Sequence, residues 1–104
     1  HDNDAAYVVA ETVDFDNAVG KALQFAAKNG ETLVIVTADH ETGGFGITGG
    51  SITKGEVQGA FVSKDHTSTM VPVFAYGPGS GQFTGVQDNT DIFKKCVELL
   101  GLKK

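Results

Sequence analysis

The chain has 104 residues, of which 40% are apolar, and its 13 acidic residues against 8 basic ones give a net charge of −5. This length corresponds to one domain or less. The acidic balance argues against nucleic acid or an anionic membrane as a partner, because both are bound by basic surfaces. All 8 basic residues are lysines, so the sequence lacks arginine, the usual bidentate clamp for phosphate.

The first predicted elements are helical. The segment "NDAAYVVAET" can form a short helix, and "VDFDNAVGKALQFAAKNG" forms a longer one with apolar residues three or four positions apart. Asp14 or Asp16 is expected to begin the longer helix, and Gly30 is expected to end it.

Two apolar segments, 32–38 ("TLVIVTA") and 71–77 ("VPVFAYG"), are predicted to be strands buried on both faces. The glycine-rich residues 43–59 between them predict a loop with room for a short irregular hairpin. A tight loop, "GPGSGQFTG", follows the second strand. The last helix, "DNTDIFKKCVELLG", is expected to have Asn89 or Thr90 as its N-cap and Gly101 as its stop.

This order of helix, strand, loop, strand and helix is typical of an α/β fold, in which parallel central strands are the default. Ligands of open α/β sheets bind at the carboxyl ends of the strands. Asp39 and His40 directly follow the first predicted strand. They are therefore the first candidates for a functional site.

The lone cysteine, Cys96, excludes an internal disulfide bond and is expected to be a core thiol on the apolar face of the last helix. No apolar run reaches 18 residues, so no membrane span is expected. No basic segment followed by an apolar one opens the chain, so no signal peptide is expected. The start at "HDND" without Met indicates a mature form or a fragment.

The histidines His1, His40 and His66 each have an acidic neighbour, and zinc binds imidazole nitrogen and carboxylate oxygen. Asp39 and His40 can converge on one metal where the backbone turns at the end of a strand. An alternative stays open from the residues alone, in which Asp39 caps the following turn and His40 and His66 are polar loop residues.

The other candidate motifs are weaker. The loops "GGFG" and "GPGS" lack the Lys-Ser/Thr of a phosphate-binding P-loop and read as plain turns. No serine stands in a G-x-S-x-G nucleophile motif. The sequence therefore predicts no catalytic nucleophile in these residues.

The blocks "HDNDAAYVVAETVDFDNAVGKAL", "TLVIVTADHETGG" and "DHTSTMVPVFAYGPGS" resemble the C-terminal third of alkaline phosphatases, in the same order and at similar spacing. The resemblance runs from residue 1 to about residue 100. It implies that residues 1–104 are an incomplete C-terminal unit of a catalytic domain. The implied fold is a three-layer α/β/α sandwich with a mostly parallel central sheet.

The resemblance implies an enzyme that hydrolyses phosphate monoesters with two zinc ions and one magnesium ion. Asp39 and His40 match the ligands of the zinc on the nucleophile side. His1 and His66 match ligands of the zinc on the leaving-group side. The family's nucleophile, its phosphate-binding arginine, an aspartate four residues before His1 and the magnesium ligands have no match here, so this chain alone is expected to be inactive.

The implied partners are a phosphate monoester in the intact enzyme and either the upstream part of that enzyme or a second copy of the chain. The implied location is periplasmic or secreted. Two alternatives stay open: a stand-alone α/β domain that binds a metal or a partner without catalysis, and another metallohydrolase such as a phosphodiesterase or sulfatase.

Overall fold

The computed structural model describes residues 1–102, which form two α-helices and six short strands. In chain order they are α1 (Ala5–Asn29), β1 (Val34–Val36), β2 (Glu41–Thr42), β3 (Gly46–Ser51), β4 (Glu56–Ala60), β5 (His66–Thr67), β6 (Phe74–Tyr76) and α2 (Asn89–Leu99). Neither helix combines the length and apolar character that a membrane crossing needs.

α1 is one continuous helix of 25 residues, whereas the sequence predicted two. It begins after Asp4, whose carboxylate accepts a hydrogen bond of 3.0 Å from the backbone N–H of Tyr7. The prediction that Asp14 or Asp16 begins a helix was wrong, because neither glycine nor proline interrupts residues 5–19 and an upstream aspartate already caps the helix. Gly30 ends the helix as predicted, in the left-handed conformation with φ of 73°.

The residues divide into two compact units. The first contains His1–Gly20 and His40–Val71, and the second contains Lys21–Asp39 and the chain from Pro72 onwards. The assignment of all 104 residues to one incomplete catalytic domain stays a prediction.

In the first unit, β3 and β4 form an antiparallel hairpin with an irregular register between Ile47 and Gly49. This hairpin confirms the prediction that the glycine-rich residues 43–59 contain a short irregular hairpin. β2 and β5 form a second antiparallel ladder of two residue pairs, Glu41 with Thr67 and Thr42 with His66. The first unit is therefore built from two small ladders and the N-terminal part of α1.

In the second unit, β1 pairs with β6 in antiparallel register, with Ile35 opposite Ala75. The parallel arrangement expected for these two strands was wrong. A parallel connection needs a crossover, usually a helix. Residues 37–73 contain loops, short ladders and one 3₁₀ turn but no α-helix. The chain therefore returns to the ladder at the same end at which β1 leaves it.

Both strands are also less buried than the sequence predicted. β1 is half-buried throughout, and in β6 the side chains of Phe74 and Tyr76 are 64% and 47% exposed. Among the described residues, each strand has a single neighbouring strand. Apolar faces that would be covered in a larger sheet are therefore exposed here.

The N-cap of α2 lies one residue earlier than the sequence predicted. Asp88 is its N-cap and accepts a hydrogen bond of 2.9 Å from the backbone N–H of Thr90. Gly101, with φ of 63°, follows the helix end as predicted. Cys96 is half-buried rather than in the core, because it borders an open apolar hollow formed with Leu33, Ile35 and Leu99.

Candidate metal centre

Three histidine side chains from separate segments of the first unit come together. His1 lies at the N-terminus, His40 directly before β2, and His66 in β5. Each offers a ring nitrogen, and these nitrogens all lie within 4.8 Å of one another. Imidazole nitrogens at such separations can bind one metal ion or two neighbouring ions.

The ring geometry shows how closely the three side chains meet. The Nε2 atoms of His1 and His66 are 2.9 Å apart. The rings of His40 and His66 are stacked, with centroids 3.5 Å apart and planes inclined by 22°. His1 contacts His40 edge to face, with centroids 6.0 Å apart. His40 is half-buried, while His1 and His66 are exposed, so one side of the cluster is open to solvent.

The orientation of His40 is set by contacts with the two residues of β2, the strand that follows it. Its Nδ1 lies 3.2 Å from the backbone carbonyl oxygen of Glu41 and 3.2 Å from the hydroxyl of Thr42. A carbonyl oxygen only accepts, so the contact with Glu41 is a hydrogen bond in the tautomer that carries the hydrogen on Nδ1. In the neutral ring that tautomer has its lone pair on Nε2, the arrangement found for metal-binding histidines.

The ladder between β2 and β5 holds His66 next to His40, and a carboxylate joins its two strands. Glu41 accepts hydrogen bonds from the hydroxyl of Thr67 and from the backbone N–H groups of Gly44 and Phe45. The bond from Thr67 is the main cause that holds the pKa of Glu41 below its usual value. Glu41 is therefore ionised at neutral pH and is engaged by donors on both oxygens.

The segment that carries His1 is attached to the same loops. The side-chain amide of Asn3 donates a hydrogen bond of 2.7 Å to the backbone carbonyl of Ser63, three residues before His66. Gly43 lies beneath this contact with φ of 76°, and a Cβ there would come within 2.6 Å of the Phe61 ring and 3.2 Å of Asn3 Oδ1. The loop therefore needs glycine at position 43 for both its conformation and its packing.

The fourth predicted ligand, Asp39, is exposed and directly precedes His40, in the segment that belongs to the second unit. The glycine-rich candidates form turns: Gly43 and Gly44 have positive φ, and Gly79 precedes a short 3₁₀ turn at Ser80–Phe83.

Sequence reasoning missed Glu41, Thr67 and Asn3 as supports of the histidines. An acid or hydroxyl residue beside a histidine signals such a role only when the pairing of distant segments is known.

The chain matches the family model described as "Alkaline phosphatase" over residues 1–60 and 53–102. It is 41% identical over 111 residues to alkaline phosphatase H of Pseudomonas aeruginosa, and that match covers 91% of this chain and 23% of the relative. It is 40% identical to alkaline phosphatase of Escherichia coli, covering 91% of this chain and 24% of that protein. Streptomycin-6-phosphate phosphatase of Streptomyces griseus is 35% identical, with 99% and 27% covered. The chain thus spans about a quarter of the length of these relatives.

Solved structures give the same result. The alkaline phosphatase from the Antarctic bacterium TAB5 superposes with a TM-score of 0.88 and 44% identity, over 98% of this chain and 31% of that enzyme. A mutant of that enzyme with Mg bound in a site called M3 superposes with a TM-score of 0.87 and 42% identity, over 98% of this chain and 32% of the mutant. The likeness therefore extends over nearly all of the chain in both sequence and backbone.

Proposed function

The chain belongs to the alkaline phosphatase family, and from this premise we propose that it is part of a zinc- and magnesium-dependent enzyme that hydrolyses phosphate monoesters. The family resemblance predicted from the sequence motifs is confirmed by the family match and the structural neighbours. The observation that carries the proposal is the convergence of His1, His40 and His66.

We assign Asp39 and His40 to one zinc ion and His1 and His66 to the other. The donor set supports this assignment, because zinc in proteins is held by imidazole nitrogen and carboxylate oxygen. The short separation between Nε2 of His1 and Nε2 of His66, 2.9 Å, is close to the roughly 3.3 Å between two ligands in a tetrahedral zinc site with metal–nitrogen bonds of about 2.0–2.1 Å. The contact between Nδ1 of His40 and the Glu41 carbonyl favours the tautomer with its lone pair on Nε2, which is then available to a metal ion.

Two zinc ions, when bound, supply Lewis-acid stabilisation of the attacking and leaving oxygens of an in-line displacement. The residues of this chain hold and orient the ligand atoms on both sides. Asp39 and His40 serve the side of the attacking hydroxyl, and His1 and His66 serve the side of the leaving group. The exposed side of the histidine cluster leaves space for a phosphate monoester to approach.

The remaining parts of the proposed active site come from residues outside these 104. They are the nucleophilic hydroxyl residue, the arginine that grips the phosphate, and the magnesium ligands. We propose that the complete enzyme has a three-layer α/β/α fold with a mostly parallel sheet, to which the pair β1 and β6 contributes. Its proposed location is periplasmic or secreted.

The assignment is tested in the complete enzyme that carries this chain. Asp39→Ala and His40→Ala should each lower kcat/KM for a generic aryl phosphate by about three orders of magnitude, because loss of a Lewis-acid metal removes several kcal/mol of transition-state stabilisation. Asp14→Ala, which removes an exposed aspartate from the middle of α1, is the control and should keep wild-type turnover. Near-native turnover in Asp39→Ala or His40→Ala would contradict the assignment.

Metal removal gives a second measurement on the same enzyme. A chelator should abolish hydrolysis, and added Zn²⁺ together with Mg²⁺ should restore it. The purified 104-residue chain should show no turnover above background even with added zinc, because it contains no match to the nucleophile or the phosphate clamp. Chelator-sensitive hydrolysis by a homogeneous preparation of that chain would overturn the proposal that these parts lie elsewhere.

A further inference from the structure

We propose that Glu41 and Thr67 form a positioning clamp that fixes His40 and His66 at metal-binding distance; this inference rests on the proposed zinc centre. Both residues lie directly beside a histidine, Glu41 after His40 and Thr67 after His66. The Thr67 hydroxyl donates to the Glu41 carboxylate across the ladder of β2 and β5.

The ladder needs such a clamp because it is very short. β2 and β5 share only two residue pairs, Glu41 with Thr67 and Thr42 with His66. Neighbouring residues in a strand face opposite sides, so a slip of one residue would turn His66 to the other face. Two pairs of backbone groups are too few to prevent such a slip, since even a complete isolated hairpin is only marginally stable in water.

The clamp lies on the side of the ladder opposite the histidine cluster. Thr42 and His66 form one pair and share a face, and the hydroxyl of Thr42 lies 3.2 Å from Nδ1 of His40. Glu41 and Thr67 form the neighbouring pair, so their side chains point the other way. The carboxylate of Glu41 therefore supports the histidines from behind and is not itself one of the grouped metal ligands.

Glu41 also fixes the turn that follows β2. Its two oxygens accept hydrogen bonds from the backbone N–H groups of Gly44 and Phe45, at 3.1 and 3.3 Å. In the same turn, the carbonyl of Gly43 accepts from the backbone N–H groups of Val62 and Ser63. One carboxylate thus ties together the end of β2, the turn after it, and the strand that carries His66.

The experiment measures zinc affinity of the complete enzyme by competition with a chromogenic chelator, and the absorption spectrum of the Co²⁺-substituted enzyme. Thr67→Val keeps the side-chain shape but removes the hydroxyl, and Glu41→Gln removes one acceptor oxygen. Each should weaken zinc binding by about 10–100-fold, the range found for residues that orient metal ligands, and should change the Co²⁺ spectrum. Thr67→Ser restores the hydroxyl and should restore both measurements.

Glu56→Gln provides the matched control, because Glu56 is an exposed acid in β4 of the same unit, and it should bind zinc as the wild type does. The double variant Glu41→Gln with Thr67→Val should bind zinc no more weakly than the weaker single variant, because both changes break the same contact.

Two outcomes would overturn the clamp. One is zinc affinity and a Co²⁺ spectrum like the wild type in Thr67→Val and Glu41→Gln, while His40→Ala and His66→Ala lose zinc. The other is a fall in thermal stability of the metal-free form of those variants with an unchanged Co²⁺ spectrum, which would make the contact structural only. Wild-type zinc binding in His40→Ala and His66→Ala would instead refute the zinc centre itself, so the two failures are distinguishable.

Discussion

Asp88 shows how a single carboxylate defines an element and makes its stability depend on pH. Its Oδ1 accepts hydrogen bonds from the backbone N–H of Thr90 at 2.9 Å and from the Thr90 hydroxyl at 2.8 Å. These bonds, the backbone one foremost, hold the pKa of Asp88 below its usual value. A negative charge at a helix N-terminus is also favourable because of the helix dipole.

A depressed pKa in the folded state stabilises the fold at any pH above the ordinary aspartate value of about 3.9, and this contribution is lost as the pH falls through the lower, folded value. Asp88→Asn keeps a capping oxygen but does not titrate. The wild type should therefore have a higher Tm than Asp88→Asn at neutral pH, and the difference should shrink as the pH falls from 5 towards 2, a range of about three units around that value.

Thermal unfolding of both proteins across this pH range measures the effect. Thr90→Val removes the hydroxyl, one of the two donors to Asp88. The Tm difference between Thr90→Val and the double variant Thr90→Val with Asp88→Asn should therefore depend less on pH than the difference between the wild type and Asp88→Asn. A Tm difference between wild type and Asp88→Asn that stays constant down to strongly acidic pH would contradict the cap as the cause.

Residues whose role depends on their own type and close neighbours could be predicted from the sequence. Gly30 and Gly101 end helices because only glycine readily adopts positive φ there, and the histidines were identified as ligand candidates by type. Glu41, Thr67 and Asn3 could not be assigned, since their partners are 26 to 60 positions away in the chain. Such a role depends on which segments meet, and local residue preferences carry no information about that.

At the scale of elements, α1 shows how two local signals can mislead. Asp14 and Asp16 resemble helix caps, but a cap operates only where the preceding residues leave the helix. Here the residues from Ala5 onwards are already helical, so both aspartates occupy interior positions on an exposed surface. The position of Gly20 in the same helix leads to a test of this continuity.

Gly20 and Gly30 should respond in opposite directions to the same substitution. A Cβ at either position meets nothing within 4 Å, but Gly20 is inside α1 and Gly30 has φ of 73°. Gly20→Ala should raise the free energy of unfolding by about 0.5–1 kcal/mol, because alanine is the better helix former. Gly30→Ala should lower it by about 1–2 kcal/mol, because an L-residue is strained in the left-handed region.

Urea denaturation of the two variants measures both changes in the same protein. Each variant serves as the control for the other, since the added methyl group is identical and neither position is crowded. If Gly20→Ala instead lowered the free energy of unfolding by about 1–2 kcal/mol, as expected for Gly30→Ala, α1 would have a break or an unseen contact at Gly20. That result would contradict the continuous helix.

The pairing of β1 and β6 illustrates what element prediction lacks. Both strands were located, in shortened form, by their β-branched and aromatic residues. Their relative direction depends on the connection, and the glycine-rich composition of residues 43–59 did not reveal that two ladders and no α-helix lie between them. The likeness to the alkaline phosphatase fold could be inferred from the sequence motifs, but the direction of strand pairing could not be inferred from the order of elements.

At the scale of the whole molecule, the described residues have a small apolar interior. Within residues 1–102, Ala26 and Phe83 are the buried hydrophobic residues, while 17 large hydrophobic side chains are exposed. The ladder of β1 and β6 has no further strand on either side among residues 1–102. Exposed edges and apolar patches of this kind recruit other chains. The chain also spans about a third of the solved structures it matches, so the rest of the enzyme is the proposed cover.

We therefore expect the isolated 104-residue chain to associate with itself and to bind an apolar dye such as ANS, and we expect the complete enzyme to show much less dye binding. Phe74, 64% exposed on β6, lies in the open ladder of β1 and β6. Phe74→Ser should reduce self-association of the isolated chain, because it removes apolar area at an open strand.

Ile52 provides the matched control for that change. It is fully exposed in the short 3₁₀ turn between β3 and β4, far in sequence from the β1–β6 ladder. Ile52→Ser should leave association nearly unchanged if the open ladder is the contact surface, since it removes a similar area elsewhere. Light scattering and dye fluorescence of the isolated chain and both variants measure this. A monodisperse monomer without dye binding would show that these residues close their own core, and equal effects of Phe74→Ser and Ile52→Ser would show that association is not specific to the ladder.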